Sequence, residues 1–290
     1  MIGIVLAGGN GSRLYPITAA SNKQLLPIYD KPMIYYPIST LMLAGIKKIF
    51  IIVNPNSNEA YSHLLGDGSK WGLEIQLINQ ERPAGIAECF RLIPSEYQYQ
   101  NCVVALGDNI FYGMGLGSSL SQVFEGDGSL IFAHEVSNPE DYGVIVLDHE
   151  AQPVSIQEKP TTLISNFAIP GLYYFDENCF EMSKSLQPSV RGELEITDLL
   201  KMYLDKKQLT VKILARGTAW LDTGSPQNLI AASNFVKVIE DRQGLKVGCP
   251  EEIALNEGFI TPQKLQENIL NMPESNYKDY LKKILLEKIR

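Results

Sequence analysis

The sequence predicts an α/β fold, a mixed central sheet flanked by helices and followed by a helical C-terminal region. Three observations carry this expectation. Up to about residue 128, short apolar runs rich in β-branched residues alternate with helical patterns. Strand-like runs then follow one another with few helices between them, and from Pro250 onward the apolar residues fall at helical spacing. Strand–helix alternation with short connections implies βαβ units and a parallel sheet, and the strand-rich part after it makes the whole sheet mixed.

The first strand is Ile2–Ala7, and it opens at once into Gly8-Gly9-Asn10-Gly11-Ser12-Arg13-Leu14. Glycine permits a sharp turn and leaves no Cβ between backbone N–H groups and phosphate oxygens. Arg13 and Lys23 add positive charge beside the loop. Together they read as a polyphosphate cradle; a tight strand-to-loop turn without a ligand is the other reading. The dinucleotide fingerprint would need a third glycine where Leu14 stands, and the Walker loop a Gly-Lys pair that the chain lacks.

The next elements are a helix over Met33–Ala44, a strand Ile49–Val53, a helix Glu59–Leu65, a strand Leu73–Ile78, a helix Gly85–Leu92 and a strand Cys102–Leu106. Pro32 just before the first helix and Gly45 just after it match the usual asymmetry of helix ends. Ligands of such sheets bind beyond the carboxyl ends of the strands. The loop Gly8–Arg13 and the turn Gly107-Asp108-Asn109 are therefore expected at one mouth. Strands over Ser129–Val136, Gly143–Leu147, Val154–Glu158 and Gly171–Phe175 follow, then helices over Leu194–Lys206 and Asn228–Glu240. Residues 250–290 read as helical, with Leu265, Ile269, Tyr280, Leu281, Ile284 and Leu285 as apolar positions. The simplest division is a core over residues 1–240, with parts at 1–128 and 129–240, and a helical region 241–290 packed on it.

The chain has 290 residues, 45% of them hydrophobic and 20% charged, an ordinary globular composition. No apolar stretch reaches the roughly 20 residues of a membrane span, and no signal-peptide pattern opens the chain. A net charge of −8 argues against a general nucleic-acid binder. The 4 cysteines stand far apart without a C-x-x-C pair. Cys102 and Cys179 are expected to be buried free thiols, which fits a reduced, cytoplasmic compartment. The 3 histidines lack zinc-ligand spacing.

Asp108 and Asp222 each follow an apolar run, in Val103-Val104-Ala105-Leu106-Gly107-Asp108-Asn109 and Ala219-Trp220-Leu221-Asp222-Thr223-Gly224. A carboxylate at a strand end forms a turn or cap, or it ligates a metal. Two of them near a phosphate loop would suit Mg²⁺, which takes one or two carboxylates plus phosphate oxygens and water. Glu158-Lys159-Pro160 closes another strand, either as a solvated charge pair or as contacts for hydroxyls and an anionic group. Arg191 to Asp198 reads as a solvated, acidic helix start.

With Leu6 to Leu14, Lys23-Gln24-Leu25-Leu26-Pro27, Leu106-Gly107-Asp108-Asn109, Glu158-Lys159-Pro160 and Trp220-Leu221-Asp222-Thr223-Gly224 in this order, the chain resembles the sugar-phosphate nucleotidyltransferases nearly end to end. Tyr29-Asp30-Lys31-Pro32-Met33-Ile34-Tyr35-Tyr36, Gly107 to Gly113, the Arg191–Asp198 string, Gln243-Gly244-Leu245-Lys246-Val247 and Cys249-Pro250-Glu251-Glu252-Ile253 are similar to the glucose-1-phosphate thymidylyltransferases among them. The resemblance implies a single Rossmann-like nucleotidyltransferase domain. It implies a reaction of dTTP with glucose 1-phosphate, run with Mg²⁺ as in-line displacement at the α-phosphorus. The first core part would bind nucleotide and the second sugar.

Carried over by motif, Arg13 and Lys23 would stabilise the triphosphate and the leaving group, while Asp108 and Asp222 would hold the metal. Leu6, Gly8, Gly9, Gly11, Gln80, Pro83 and Gly85 would line the nucleotide site. Lys159 would grip the sugar phosphate, with Asn109, Gly143, Glu158, Ile169 and Arg191 around the sugar. A homo-oligomer, a tetramer in this family, is implied as well.

Some positions depart from the family pattern. Pro83-Ala84-Gly85-Ile86-Ala87-Glu88-Cys89 stands where Pro-Asp-Gly-Leu-Ala-Gln-Ala is usual, and Ile169-Pro170-Gly171 where Val-Thr-Gly is. Family members are feedback-inhibited by dTDP-rhamnose near their C-terminal helices, and Asn256 replaces an arginine expected there. The rivals are a nucleotidyltransferase using UTP or an amino-sugar phosphate, and a non-catalytic nucleotide-binding subunit. The latter would be expected to lose the cations or carboxylates, yet Arg13, Lys23, Asp108 and Asp222 are all present.

Overall fold

In the computed structural model, which describes residues 1–113, 120 and 126–289, strand β1 (Ile2–Ala7) lies inside the main sheet. It pairs in parallel with β4 (Lys48–Val53) on one side and β6 (Cys102–Leu106) on the other, and β5 (Glu74–Asn79) extends the parallel set beyond β4. These near-continuous apolar runs are what a sheet covered on both faces requires. Successive residues point to opposite faces. Val5, Ala7, Ile51, Val53, Val103 and Ala105 therefore join one core, and Ile2, Ile4, Phe50, Ile52, Cys102 and Val104 the other.

Beyond β6 the sheet changes direction. Strand β12 (Leu172–Phe175) runs antiparallel to β6, and β8 (Ser129–Glu135) antiparallel to β12. The short β11 (Phe167–Ala168), β9 (Gly143–Leu147) and β10 (Pro153–Glu158) complete that end. Strand β13 (Leu209–Ile213), absent from the sequence reading, pairs in parallel with β8. The sheet is mixed, as expected. Two small ribbons lie outside it: β2 (Pro27–Ile28) with β3 (Lys31–Pro32), and β7 (Asn109–Tyr112) with β14 (Ala219–Asp222).

One face carries α1 (Tyr35–Leu43) and α2 (Asn58–Leu65), through Ile38, Leu41, Tyr61 and Leu65. The other carries α3 (Cys89–Leu92), α4 (Asn178–Lys184) and α5 (Ile196–Asp205), through Phe90, Phe180, Leu199 and Tyr203. Helix α6 (Pro226–Gln243) packs Ala232 and Val236 against Ile28 and Met33 of the first ribbon. A buried ion cluster joins the same parts: Lys31 Nζ lies 2.9 Å from Glu240 and 2.6 Å from Asp30, and Lys246 pairs with both acids. The C-terminal region is helical in three pieces, α7 (Pro250–Asn256), α8 (Pro262–Leu270) and α9 (Asn276–Ile289). They bury Ala254, Leu265, Ile269, Leu281, Ile284 and Leu285 in the α1 core. Arg290 lies outside the described residues.

Three local expectations need correction. Pro32 does not start α1: it sits in β3 opposite Pro27, while Gly45, with φ 80°, does follow the helix end. The expected helix over Gly85–Leu92 breaks into a 3₁₀ turn (Ile86–Glu88) and α3, because Gly85 sits at φ 99° and the Leu194 backbone occupies the space beside it. The start of α5 is less solvated than read, since Glu195 is buried and paired with Arg191.

Candidate active site

The ends of β1 and β6 meet, as their parallel pairing demands. Gly107 donates its N–H to the Leu6 carbonyl at 2.9 Å, and a Cβ on Gly107 would come within 2.4 Å of that oxygen. Only glycine allows this approach. After Ala7 the chain turns through the glycine loop. Gly11, at φ 59°, caps a short turn that carries Arg13, while a side chain on Gly9 would meet no atom within 4 Å. Asn22 reaches back to the Ala7 carbonyl (3.2 Å) and caps the turn Lys23–Leu25. That anchors Lys23, whose buried ammonium lies 2.5 Å from Asp108 Oδ2.

The β7–β14 ribbon supplies the second carboxylate. Asp222 pairs opposite Asn109, and Thr223 donates to the Asp108 carbonyl from its hydroxyl (2.8 Å) and its N–H (3.2 Å). The Asp222 carboxyl is pushed above the usual carboxylate range, first by burial and then by the charge of Asp108, with Lys23 and Arg13 opposing. A Cβ on Gly224 would lie 3.0 Å from Asp222 Oδ2 and 3.2 Å from an Arg13 Nη, so the guanidinium and the carboxylate share one glycine shelf. Two oxygen-donor groups in like-charge proximity suit a hard cation that completes its shell with phosphate oxygens and water. Among the described residues no cluster of three or more His, Cys, Asp or Glu residues offers a ready-made cage.

Arg13, Asp108, Asn109, Asp222, Gly143, Glu158, Lys159 and Ile169 all line one cavity of about 180 Å³. Lys159 takes φ 41°, so the strand breaks directly after Glu158, and its N–H is held by the Tyr142 carbonyl at 3.0 Å. Both side chains thereby reach one cavity instead of opposite faces of β10. Burial raises the Glu158 carboxyl and the charge of Glu195 adds to this, against Arg191 and Lys159. Gly143 is forced by contact: a Cβ would sit 3.0 Å from Thr197 Cγ2 and 3.2 Å from Glu158 Oε2. Arg191 is not on the cavity wall. Its guanidinium pairs with both oxygens of Glu195 and reaches Glu158 at 3.5 Å, so it braces Glu158 from behind.

Asn109 has a bracing part besides lining the cavity. Its Oδ1 accepts from Trp220 Nε1 (2.6 Å) and Gly171 N–H (3.0 Å), and its Nδ2 donates to Asp108 Oδ1 (2.9 Å). Trp220, Tyr142, Tyr173 and Thr197 also line the cavity, and the sequence reading assigns none of them. A signal for Trp220 exists: it lies two residues before Asp222 on one strand, hence on the same face.

Gln80 follows β5 and is buried, and a Cβ on Gly8 would come within 2.6 Å of its Oε1. Gly85 faces the Leu194 carbonyl, which a Cβ would approach to 2.4 Å. Pro83 is exposed on the connecting loop. Asn256 ends α7 and lines a separate cavity of about 350 Å³ with Lys246 and Glu252.

The comparisons agree with this geometry. The profile of the Nucleotidyl transferase family matches residues 2–238. A glucose-1-phosphate thymidylyltransferase of Mycolicibacterium smegmatis is 48% identical over 285 residues, covering 98% of this chain and 99% of the relative. One from Neisseria meningitidis is 46% identical over 286 residues, with 98% and 99% covered. A solved Bacillus anthracis protein, provisionally assigned as a glucose-1-phosphate thymidylyltransferase and in complex with sucrose, matches with a TM-score of 0.74 at 35% identity, over 81% of this chain and 95% of that one. A UDP-glucose pyrophosphorylase complexed with UDP-glucose shares the fold, with a TM-score of 0.71 at 24% identity over 82% of this chain and 98% of that one. A family profile spanning most of the chain, and relatives nearly half identical from end to end, place it: the chain belongs to the nucleotidyl transferase family and, within it, to the glucose-1-phosphate thymidylyltransferases.

Proposed function

We propose that this chain transfers the thymidylyl group of dTTP to α-D-glucose 1-phosphate, forming dTDP-glucose and pyrophosphate. The observation that carries this reading is the convergence of Arg13, Asp108, Asp222, Glu158 and Lys159 on one cavity, with Lys23 tied to Asp108 at its rim. An oxygen of the sugar phosphate attacks the α-phosphorus, the bond from that phosphorus to the β-phosphate bridge breaks, and pyrophosphate leaves. Such a transfer needs positioning and charge neutralisation more than covalent chemistry. Arg13 and Lys23 meet the β- and γ-phosphates and stabilise the departing charge. Lys159 holds the phosphate of the incoming sugar, while Glu158 accepts from its hydroxyls beside Gly143 and Ile169. Gln80, Gly85 and Pro83 border the thymine, and Gly8 lets the nucleotide lie against the backbone. Asp108 and Asp222 hold Mg²⁺, which when bound supplies charge neutralisation at the phosphates.

Three further readings belong to the proposal. A homo-oligomer, a tetramer by family resemblance, fits the exposed Ile230, Val238, Leu270 and Leu286 on α6, α8 and α9. A reducing cytoplasm fits the free, buried Cys89, Cys102, Cys179 and Cys249. No helix among the described residues is long and apolar enough to cross a membrane. The cavity beside Asn256 also carries Glu252 and Glu257, and its Lys246 is committed to Asp30 and Glu240. We expect it to hold an anionic feedback inhibitor weakly.

Pyrophosphate release tests the main reading, with dTTP, UTP, CTP and ATP each offered glucose 1-phosphate or glucosamine 1-phosphate. Fastest release is expected with dTTP and glucose 1-phosphate. A strong preference for the amino sugar, or release independent of any sugar phosphate, overturns it.

A further inference from the structure

We infer that Glu88 is a positioning residue that locks the polarity of the Gln80 amide, and so sets which pyrimidines the nucleotide site accepts. This rests on the proposal that Gln80 faces the base. Gln80 Nε2 lies 2.5 Å from Glu88 Oε2. A glutamine amide can turn over by 180°, because its two ends are alike in shape and opposite in hydrogen bonding. A carboxylate only accepts, so the end facing Glu88 must be the NH₂ group. The carbonyl end is thereby committed to the Gly8 side, where Oε1 would touch a Cβ on that glycine at 2.6 Å.

The support is rigid on both sides. Gln80 is buried at the end of β5, its N–H bound to the Val53 carbonyl at 2.9 Å. Glu88 sits in the 3₁₀ turn between Gly85 and α3, and the N–H of its neighbour Ala87 is held by the Leu194 carbonyl at 3.1 Å. A fixed acceptor at Oε1 matches the N3–H of thymine or uracil. It repels cytosine, whose N3 is itself an acceptor. With glutamine at position 88 the partner could donate or accept, and the lock would be lost although the hydrogen bond and the volume remain.

Steady-state kinetics of Glu88→Gln, Glu88→Ala and Gln80→Ala with dTTP, dUTP and dCTP test this. In Glu88→Gln and Glu88→Ala the ratio of kcat/KM for dCTP to that for dTTP is expected to rise roughly tenfold or more, through KM, with kcat on dTTP nearly kept. A purely structural Glu88 predicts instead that Glu88→Gln matches the wild type and that Glu88→Ala loses all three substrates in proportion; either result overturns the inference. Gln80→Ala separates the two levels. If it alters selectivity while the Glu88 variants do not, the lock fails and the base pocket stands. If Gln80→Ala leaves pyrimidine selectivity unchanged, the base-pocket reading fails, and the lock with it.

Discussion

Lys159 adopts a left-handed backbone directly after Glu158, and this one break turns the acid and the base of consecutive residues into the same cavity. In an unbroken strand they would project to opposite faces. Pro160 follows at once, so the strand cannot resume.

Lys159→Ala is therefore expected to raise KM for glucose 1-phosphate strongly while leaving the affinity for dTTP alone nearly unchanged. Calorimetric titration with each ligand separately checks it. An equal fall in dTTP affinity would assign Lys159 to the triphosphate.

Asp108→Asn and Asp222→Asn should each lower kcat roughly 10²-fold or more, since each removes charge that holds the cation. Near-normal turnover of both at saturating Mg²⁺ would refute the metal assignment.

Asp222→Asn carries a stability signature too. Burial and Asp108 raise the Asp222 carboxyl in the folded chain. The folded state then binds a proton that the unfolded chain releases, and stability falls as pH rises from the unfolded value through the folded one. Without Mg²⁺ at neutral pH the variant should be more stable than the wild type, on the order of 1 kcal/mol or about 2 °C. The gap should close on acidification through that window, as the wild-type carboxyl protonates. Thermal melts across pH measure it; a variant that melts below the wild type at neutral pH contradicts the account.

Arg13→Lys should reduce kcat more than nucleotide affinity, because a guanidinium grips phosphate bidentately and an ammonium does not. If only KM rises, Arg13 contributes equally to ground and transition states.

Thymine and uracil present the same edge to Gln80 and differ by one methyl. Apolar packing of that methyl is worth only about 1 kcal/mol, so dUTP should be used within about tenfold of dTTP. ATP and GTP should be poor substrates, and their efficient turnover would relocate the base pocket.

The local grammar of this chain was legible without any contact map. The apolar run Ile2–Ala7 opening into glycines, the parallel set β1, β4, β5 and β6, and the buried faces of α1, α2 and α5 follow from periodicity and from glycine chemistry, which act within a few residues. The identities of Arg13, Lys23, Asp108, Asp222, Glu158 and Lys159 were legible from motifs for the same reason. What only the tertiary structure decided is who meets whom. Thr223 reaches the Asp108 carbonyl from 115 positions away because β14 pairs with β7, and that pairing depends on registers no local pattern encodes. Strand β13 joins β8 with only Leu209 buried, so its sequence lacks the run of core residues that marks a strand. Trp220 and Gly171 hold Asn109, and Arg191 stands behind Glu158, through side-chain directions set by packing. Gln80 and Glu88 read as unrelated polar residues until the loop around Gly85 folds against Leu194 and brings an acceptor-only group against an amide that could otherwise face either way.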